Sequence, residues 1–385
     1  MPPSSHPYPE TRSPAARSPA AKPPAAFGSN EIRLSPRQWL IAAAIVAVVF
    51  AALPAAWERI ESFEPGPDYR IPYRLGEDYW LYRRYCRRVC PEERTLVVGD
   101  SVVWGHYVSS HETLSHYLNE LAGGERFANL GLDGIHPAAL AGLLEDYARD
   151  LSGKRVLLVC NPLWMSSPTH DLQSDKSFSF NHPRLVPQFF PRIPCYKEPL
   201  ANRLGIVVER HVPLFAWVGH LRNAYFDNSD FAAWLLEHPG ENPAAAVTLE
   251  LPSPDEPPSP PPDARPWTVK GLKPFNPPWV ELETSLQWRS FCRGIEILRG
   301  RGNRVFVLVG PFNEPMLDPR SLDTYRRRKA EIGAWLARHE VPHYVPAPLA
   351  SELYADASHP LAEGYAEIAG QLWAEESFAA FCRKD

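Results

Sequence analysis

Leu96-Val97-Val98-Gly99-Asp100-Ser101 is an apolar run that ends in a turn-forming tripeptide with a hydroxyl at its tip. A short continuous apolar run bounded by turn residues is typical of a strand that is buried on both faces. The segment 110–122, which follows, has the periodicity of a helix. Strand, turn and helix in this order predict the first unit of an α/β fold.

The same alternation continues to the end of the chain. Further strands are predicted at 127–130, 156–159, 305–309 and 342–345, and further helices at 137–150, 283–299, 321–339 and 361–375. Apolar strands that alternate with amphipathic helices predict a three-layer α/β/α domain with a flavodoxin-like parallel sheet. Sites in such sheets form outside the carboxyl ends of the strands. Ser101, Asn161 and Asn313 each follow such an end.

A second motif supplies partners for the Ser101 hydroxyl. Asp356-Ala357-Ser358-His359 places a carboxylate and an imidazole three residues apart, so one short loop carries both. A serine hydroxyl is a poor nucleophile until a base takes its proton and a carboxylate orients that base. Gly-Asp-Ser alone is also typical of a turn, and Asp-Ala-Ser-His of a helix N-cap. Because both occur in one α/β series, we predict a catalytic triad of Ser101, His359 and Asp356.

At these residues the chain resembles the SGNH (GDSL-type) superfamily of serine esterases and acyltransferases. Gly99-Asp100-Ser101-Val102 is similar to the first sequence block of that superfamily. Asn129-Leu130-Gly131-Leu132-Asp133-Gly134 is similar to the second block. The resemblance implies that the oxyanion is received by the backbone N–H of Gly134, with Gly131 as the alternative, and by the side-chain amide of Asn161.

A narrower resemblance concerns membrane-anchored relatives that modify envelope polymers, such as teichoic acid D-alanyl transfer proteins and the SGNH domains of polysaccharide O-acetyltransferases. Asn161-Pro162-Leu163-Trp164 is similar to their Pro-x-Trp stretch, Pro311-Phe312-Asn313 to their Pro-x-Asn, and His359 with Gly364-Tyr365 to their ending. This resemblance implies an acylated glycan or polymer as substrate. It also implies a multi-spanning membrane partner that supplies acyl groups. Asn313 is then a candidate substrate contact, with a loop hydrogen bond as the alternative.

Together these motifs predict an enzyme, a serine esterase or O-acyltransferase that works through an acyl-serine intermediate without metal or cofactor. Whether water or a bound hydroxyl releases the acyl group stays open. One alternative is a non-catalytic binding or scaffold protein of an envelope-modification complex that keeps the same fold. Another is a lipase or thioesterase, because a large aromatic insertion interrupts the α/β series.

A membrane anchor is predicted near the N-terminus. Residues 39–57, from Trp39 to Trp57, contain no charged side chain. Nineteen helical residues at about 1.5 Å each span roughly the 30 Å of a hydrocarbon core, whereas a signal peptide has a shorter apolar region. Arg33 and Arg37 precede the span. The excess of basic residues there predicts a single-pass protein of the cell membrane, with a cytoplasmic N-terminus and an extracytoplasmic catalytic domain.

Composition divides the rest of the chain. Residues 1–38, rich in Pro, Ala and Ser, predict a disordered cytoplasmic tail, and residues 58–93 a juxtamembrane linker before a catalytic domain at 94–385. An insertion at 162–282, unmatched by the resemblance, is aromatic in its first part and has a Pro-rich loop at 252–278. We expect a lid or substrate platform, or alternatively a surface excursion with its own minor core.

Charge, cysteine and histidine content restrict the partners, disulfides and metals that are expected. A net charge of −5 overall and of +3 over the first 38 residues leaves −8 on the remainder, which argues against nucleic acid as a partner. The basic stretch 82–88 is expected to be a solvated helix face, or alternatively a face that lies against anionic headgroups. Six cysteines would meet an oxidising compartment, and the sequence does not choose their pairing. His106, His111 and His116 share no helix face, so no metal is expected.

Overall fold

A computed structural model of the chain describes residues 34–383. Its centre is a sheet of five parallel strands in the order β2-β1-β3-β4-β5. These strands are β1 (Thr95–Gly99), β2 (Phe127–Gly131), β3 (Arg155–Cys160), β4 (Arg304–Val309) and β5 (His343–Tyr344). The expected flavodoxin-like parallel sheet is confirmed.

Helices connect the strands and precede and follow them. Between residues 34 and 383 they are α1 (Pro36–Ile60), α2 (Tyr79–Val89), α3 (Ser101–Trp104), α4 (Leu114–Ala122), α5 (Pro137–Asp146), α6 (Leu200–His211), α7 (Pro213–Tyr225), α8 (Phe231–Glu237), α9 (Pro243–Ala246), α10 (Leu286–Gly300), α11 (Pro319–Arg338), α12 (Ala362–Ala374) and α13 (Glu376–Cys382). Single 3₁₀ turns lie at Tyr73–Leu75, Ser110–Glu112, Pro162–Met165, Glu314–Met316 and Ser351–Leu353.

The sheet is covered on both faces, because alternate residues of each strand enter different hydrophobic clusters. In β1, Leu96 and Val98 pack into one cluster with residues of α2, α5 and α10. Val97 packs into the other cluster, with residues of α4, α12 and α13. A strand that is buried on both sides needs apolar residues at successive positions, and this is the pattern that the sequence has.

One predicted helix is interrupted. The segment 110–122 contains the turn Ser110–Glu112 and then α4. Thr113 separates them with an extended backbone, and its side chain accepts a hydrogen bond from the His116 N–H at the start of α4. Thr113 therefore acts as an N-cap rather than as a helix-interior residue.

The chain divides into two compact units, residues 1–49 and residues 50–385. The described part of the first unit contains most of the apolar stretch of α1, with exposed side chains such as Trp39 and Leu40. Helix α1 has 25 residues and is long and apolar enough to cross a membrane. The expected disordered tail at 1–38 falls almost entirely outside the described residues.

The expected linker at 58–93 is instead part of the second unit. It contains α2, in which Tyr82, Tyr85 and Cys86 are fully buried in the core beneath the sheet. The expectation of a solvated face at 82–88 is also wrong. Arg84 is only 8% exposed and forms an ion pair with the buried Glu61. A buried cation is tolerated when a carboxylate pairs with it, and the sequence alone does not show that pairing.

The insertion at 162–282 has helices only in its first part. Helices α6, α7, α8 and α9 occupy 200–246, and α6 and α7 pack on each other. The Pro-rich loop at 252–278 contains no helix, and its Phe275 forms one isolated bridge with Leu317. The loop nevertheless packs on the domain, since Trp267 is buried and its N–H donates to the Tyr354 carbonyl.

All six cysteines lie within the described residues and are free. Burial raises the pKa of Cys90 to about 11 and that of Cys292 to about 12. A thiol with such a pKa stays protonated near neutral pH, and the thiolate is the reactive form. Cys86, Cys90, Cys160 and Cys195 are buried in the core, as is typical of cysteines that serve in packing.

Candidate active site

The end of β1 and the start of α3 position Ser101. Asp100 is the N-cap of α3, and its Oδ1 accepts a hydrogen bond from the Val102 N–H at 3.0 Å. A Cβ at Gly99 would lie 2.6 Å from the Val103 side chain, and one at Gly131 would lie 2.4 Å from the Trp104 nitrogen. Both glycines thus let α3 approach the sheet closely, which fixes the direction of the Ser101 side chain.

A compact loop positions the other two candidate residues. The N–H groups of Ser358 and His359 both donate to Asp356 Oδ1 at 3.0 Å, so the carboxylate closes its own loop. Asn313 donates from its backbone to the Ala357 carbonyl and from its side chain to the Asp356 carbonyl. The loop that follows β4 therefore holds the 356–359 loop in place.

The three residues form one continuous hydrogen-bonded chain. The Oγ of Ser101 lies 2.7 Å from Nε2 of His359. The Nδ1 of His359 lies 2.9 Å from each carboxylate oxygen of Asp356. Since a carboxylate only accepts, Nδ1 carries a proton and Nε2 is free to accept the serine proton. This is the arrangement of nucleophile, base and orienting acid in serine hydrolases.

The electrostatics of the pair favour a charged imidazole. Burial alone lowers the pKa of His359, but the hydrogen bond and the charge of Asp356 outweigh it, and Asp100 and Asp133 add to the rise. Burial likewise opposes the ionised form of Asp356, yet its bonds to His359 hold the pKa of that carboxyl far below the usual range. A site of this kind stabilises the imidazolium that forms when Ser101 gives up its proton.

The expected oxyanion donors lie on the same edge of the sheet. Gly134 follows β2, has φ +70° and approaches Asn181 so closely that a Cβ would lie 2.3 Å from its Nδ2. Its N–H donates no hydrogen bond to any residue between 34 and 383. The alternative glycine, Gly131, already donates its N–H to Asn129 Oδ1. Gly134 is thus the freer donor, and its role stays a prediction.

Asn161 follows β3 as expected, but its amide is engaged. Its Nδ2 donates to Asp100 Oδ2 at 2.8 Å, and its Oδ1 accepts from the Leu163 N–H. Trp164 donates to the same Asp100 oxygen at 2.7 Å. Burial raises the pKa of Asp100, and these two donors oppose that rise. In this geometry Asn161 positions the residue next to Ser101, and oxyanion binding through its second amide hydrogen stays a prediction.

The position of Asn313 does not suit a residue that contacts substrate. Its side chain has 0% exposure, and its Nδ2 is used by the Asp356 carbonyl. A residue that touches substrate needs a surface toward the cleft. Its hydrogen bond to the Asp356 carbonyl is the loop hydrogen bond that was the alternative expectation.

A second imidazole–carboxylate pair adjoins the triad, and the sequence analysis did not find it. His106 donates from Nδ1 to Asp133 Oδ1 at 2.6 Å, and its ring centre is 5.4 Å from that of His359. Its Nε2 bonds to none of the residues from 34 to 383. The sequence does indicate that both residues lie near the site, because His106 comes five residues after Ser101 and Asp133 directly precedes Gly134.

The loop that carries Asp133 is fixed by a buried relay. Because a carbonyl only accepts, His182 donates from Nε2 to the Asp133 carbonyl at 2.8 Å. Its Nδ1 then accepts from the Tyr79 hydroxyl at 3.0 Å. Burial lowers the pKa of His182, so the imidazole stays neutral, as this relay requires. Helix α2 and the insertion thereby hold the loop beside the triad.

The Pro-rich loop also reaches this region. Lys270 lies over the ring of Tyr107 at 4.2 Å, and Tyr107 in turn packs edge-on against His359 at 5.6 Å. The charge of Asp356 acts on Lys270, whose pKa is lowered by burial. A part of the insertion therefore borders the candidate site, and its role as a lid, a platform or a surface excursion stays a prediction.

No family model matches the chain, and no curated protein matches it. The functional conclusion therefore depends on the geometry and on the motifs.

Proposed function

We propose that this chain is a membrane-anchored serine esterase or O-acyltransferase of the SGNH type. The observation that carries the proposal is the continuous chain from Ser101 through His359 to Asp356. Support comes from the motifs around these residues, which resemble the superfamily, and from the position of the triad at the carboxyl edge of a parallel sheet.

The first half of the reaction forms an acyl-serine. The Ser101 oxygen attacks the ester carbonyl carbon while its proton moves to Nε2 of His359. The carbonyl oxygen takes the electron pair and becomes an oxyanion, for which the N–H groups of Ser101 and Gly134 and the second amide hydrogen of Asn161 are the candidate donors. One such donor typically lowers the barrier by about 3 kcal/mol. The ester C–O bond then breaks, and the leaving alkoxide takes the proton from His359.

The second half releases the acyl group. Water or an acceptor hydroxyl gives its proton to His359 and attacks the acyl carbon, and the Ser101 oxygen leaves with that proton. Water gives hydrolysis and a bound hydroxyl gives transfer. The pair His106–Asp133, with a free Nε2 beside His359, offers a hydrogen-bonding group to an incoming hydroxyl.

We further propose that the domain works outside the cytoplasm. Helix α1 supplies the anchor, and Arg33 and Arg37, which precede its apolar stretch, favour a cytoplasmic N-terminus. An acylated glycan or polymer of the envelope is then the substrate, and a multi-spanning membrane protein supplies acyl groups if the reaction is a transfer. Both of these last points rest on the resemblance alone.

The test is covalent labelling of the full chain in detergent with a fluorophosphonate. The wild type should react once per chain, and Ser101→Ala should lose the label and slow the hydrolysis of short-chain model esters by about 10³-fold or more. Ser377→Ala is the control, since Ser377 is exposed on α13. A folded wild type without label or turnover would favour the scaffold alternative.

The lipase or thioesterase alternative has one observation in its favour. Leu200, Leu204 and Val208 form an exposed apolar face of α6 in the insertion. Comparing turnover of acetylated sugars with turnover of long-chain esters separates the two substrate classes. Preference for short acyl groups supports the proposed function, and preference for long chains supports the alternative.

A further inference from the structure

A cluster of three metal-ligand side chains lies outside the triad. Asp68 comes from the segment between α1 and α2, His111 from the turn at Ser110–Glu112, and His116 from α4. One ligand atom of each residue lies within 4.8 Å of the others. Three separate segments thus bring one carboxylate and two imidazoles to a single point, and neither the triad nor the core packing uses them.

The distances in this cluster suit a small tetrahedral ion. Oδ2 of Asp68 lies 3.2 Å from Nδ1 of His111 and 3.1 Å from Nδ1 of His116. Ligand atoms bound tetrahedrally at about 2.0–2.1 Å from zinc are separated by roughly 3.3 Å. Two edges of the tetrahedron are therefore present. The His111 side chain is 68% exposed, so it has room to bring the third edge to the same length.

The carboxylate of Asp68 also has an unsatisfied oxygen. Its Oδ1 is buried and has no hydrogen-bond partner among residues 34–383, and the side chain as a whole is only 13% exposed. A buried acceptor without a partner is costly, since it has lost its contact with water and gained nothing in return. A bound cation, or a water molecule held by that cation, would satisfy it.

His116 has the outer partner that a metal-binding histidine usually has. Its Nε2, the nitrogen not turned toward Asp68, lies 3.5 Å from Oε1 of Glu120, one turn further along α4. A histidine that binds metal through one nitrogen usually donates the other N–H to a carboxylate, which fixes the tautomer and the ring. Glu120 thus favours an Nδ1 that offers its lone pair to the cluster.

We propose that Asp68, His111 and His116 bind one Zn²⁺ ion, with water in the fourth position. Two imidazoles and one carboxylate are a donor set that zinc accepts, whereas Ca²⁺ and Mg²⁺ prefer oxygen donors throughout. The three ligands lie outside the triad, so this proposal does not depend on the proposed esterase activity.

The ion would join two parts of the fold that border the candidate active site. Arg70, two residues after Asp68, donates to the carbonyls of Trp104, Gly105 and Val108. These carbonyls belong to the end of α3 and to the loop that carries His106. Zinc at Asp68 therefore fixes the segment that holds this loop, so the effect on activity is indirect.

The experiment measures zinc binding by the full chain in detergent, without a polyhistidine tag and after treatment with a chelator. Zinc is titrated in competition with a chromophoric chelator, and Mg²⁺ is titrated in parallel. We expect one Zn²⁺ per chain, no competition from Mg²⁺, and a higher melting temperature when zinc is bound. Asp68→Asn and His116→Ala should each weaken binding by about 100-fold or more, and Glu120→Gln by about 10-fold.

The control variant is His339→Ala, because His339 is exposed at the end of α11 and should leave zinc binding unchanged. Circular dichroism without zinc shows whether each variant is folded, and His111→Ala provides a ligand variant at an exposed position. The proposal is overturned if the wild type binds no zinc at one equivalent. It is also overturned if folded Asp68→Asn and His111→Ala both bind zinc as the wild type does.

Discussion

Asp133 belongs to two interactions at once. Its carboxylate accepts from His106, and its charge helps to raise the pKa of His359. Its backbone carbonyl is held by His182, next to Gly134. A single side chain thus links the protonation of the base to the second imidazole, so its removal should change the pH dependence of the reaction.

We predict that Asp133→Asn moves the acid limb of the pH–rate profile to lower pH. His359 must be neutral to act as base, so activity falls as pH falls through its pKa. Asparagine removes one of the charges that raise this pKa, so the imidazole stays neutral at lower pH. The measurement is kcat/KM for a model ester between pH 5 and pH 9. Asp323→Asn, on the exposed face of α11, is the control. An unchanged acid limb would contradict the electrostatic role of Asp133.

At the scale of residues, the sequence motifs predict those site residues that lie close together in the chain. Ser101, Asp356 and His359 could be named because two short motifs contain all three. His106 and Asp133 could not, since their pairing joins two loops that meet only in the folded chain. The engagement of Asn161 by Asp100 was hidden for the same reason: it depends on the register of β1 and β3.

At the scale of elements, a buried charge cluster joins α2 and α7 to the residue that follows α1. His220 of α7 has 0% exposure and contacts Asp78 through Nδ1 at 2.6 Å and Glu61 through Nε2 at 2.8 Å. Tyr225 and Trp57 also donate to Glu61. Burial would lower the pKa of His220, but the two carboxylates raise it to about 9. The cluster thus holds a charged imidazole inside the domain.

We predict that His220→Leu destabilises the fold by about 3–5 kcal/mol, because it removes a buried cation from two buried carboxylates, of which only Glu61 keeps another, Arg84. Chemical denaturation followed by tryptophan fluorescence measures the change. His211→Leu is the control, since His211 is exposed at the end of α6. A loss below about 1 kcal/mol would mean that water or rearrangement replaces the imidazolium.

The raised pKa of His220 determines the direction in which the stability of the fold changes with pH. A group whose folded pKa lies above its ordinary value of 6.5 stabilises the fold fully below that value, and the stabilisation disappears as pH rises through about 9. The stabilisation amounts to about 3 kcal/mol for a rise of the His220 pKa from 6.5 to about 9. The bonds of Glu61 to His220 and Tyr225 outweigh burial and lower its pKa, so its contribution is present above 4.5 and disappears in acid. Wild-type stability should decline toward pH 9, and that of His220→Leu should not.

The position of α2 shows why some elements were misjudged. Its alternating Tyr and Arg residues have the composition of a solvated helix. The long-range partner Glu61 allows Arg84 to be buried, and periodicity contains no information about such a partner. Helices that pack mainly through apolar residues, such as α10 and α12, were predicted to within a few residues.

At the scale of the whole molecule, strand order follows from the alternation of elements. Parallel strands with connecting helices permit few arrangements, because crossovers are right-handed and short. The insertion between β3 and β4 does not disturb this order. The long apolar helix α1 was equally visible, since its prediction depends only on length and apolar composition.

We predict that alkaline phosphatase fused to the C-terminus is active in a bacterial host and that a fusion after residue 38 is not. The reason is that alkaline phosphatase folds only outside the cytoplasm, and the basic residues before the apolar stretch of α1 favour retention of the N-terminus inside. Expression of both fusions is checked by immunoblotting. The reverse pattern of activity would place the catalytic domain in the cytoplasm.

The hydroxyl of Ser101 and the imidazole of His359 are separated by 258 positions in the chain. A polypeptide cut before residue 356 would retain every strand of the sheet and the reactive hydroxyl, yet it would have no base. On the proposed function, a newly made chain therefore gains its base only when the segment around His359 has emerged and docked. Chains cut before that segment should not react with a fluorophosphonate, so such a probe should count only molecules that contain His359.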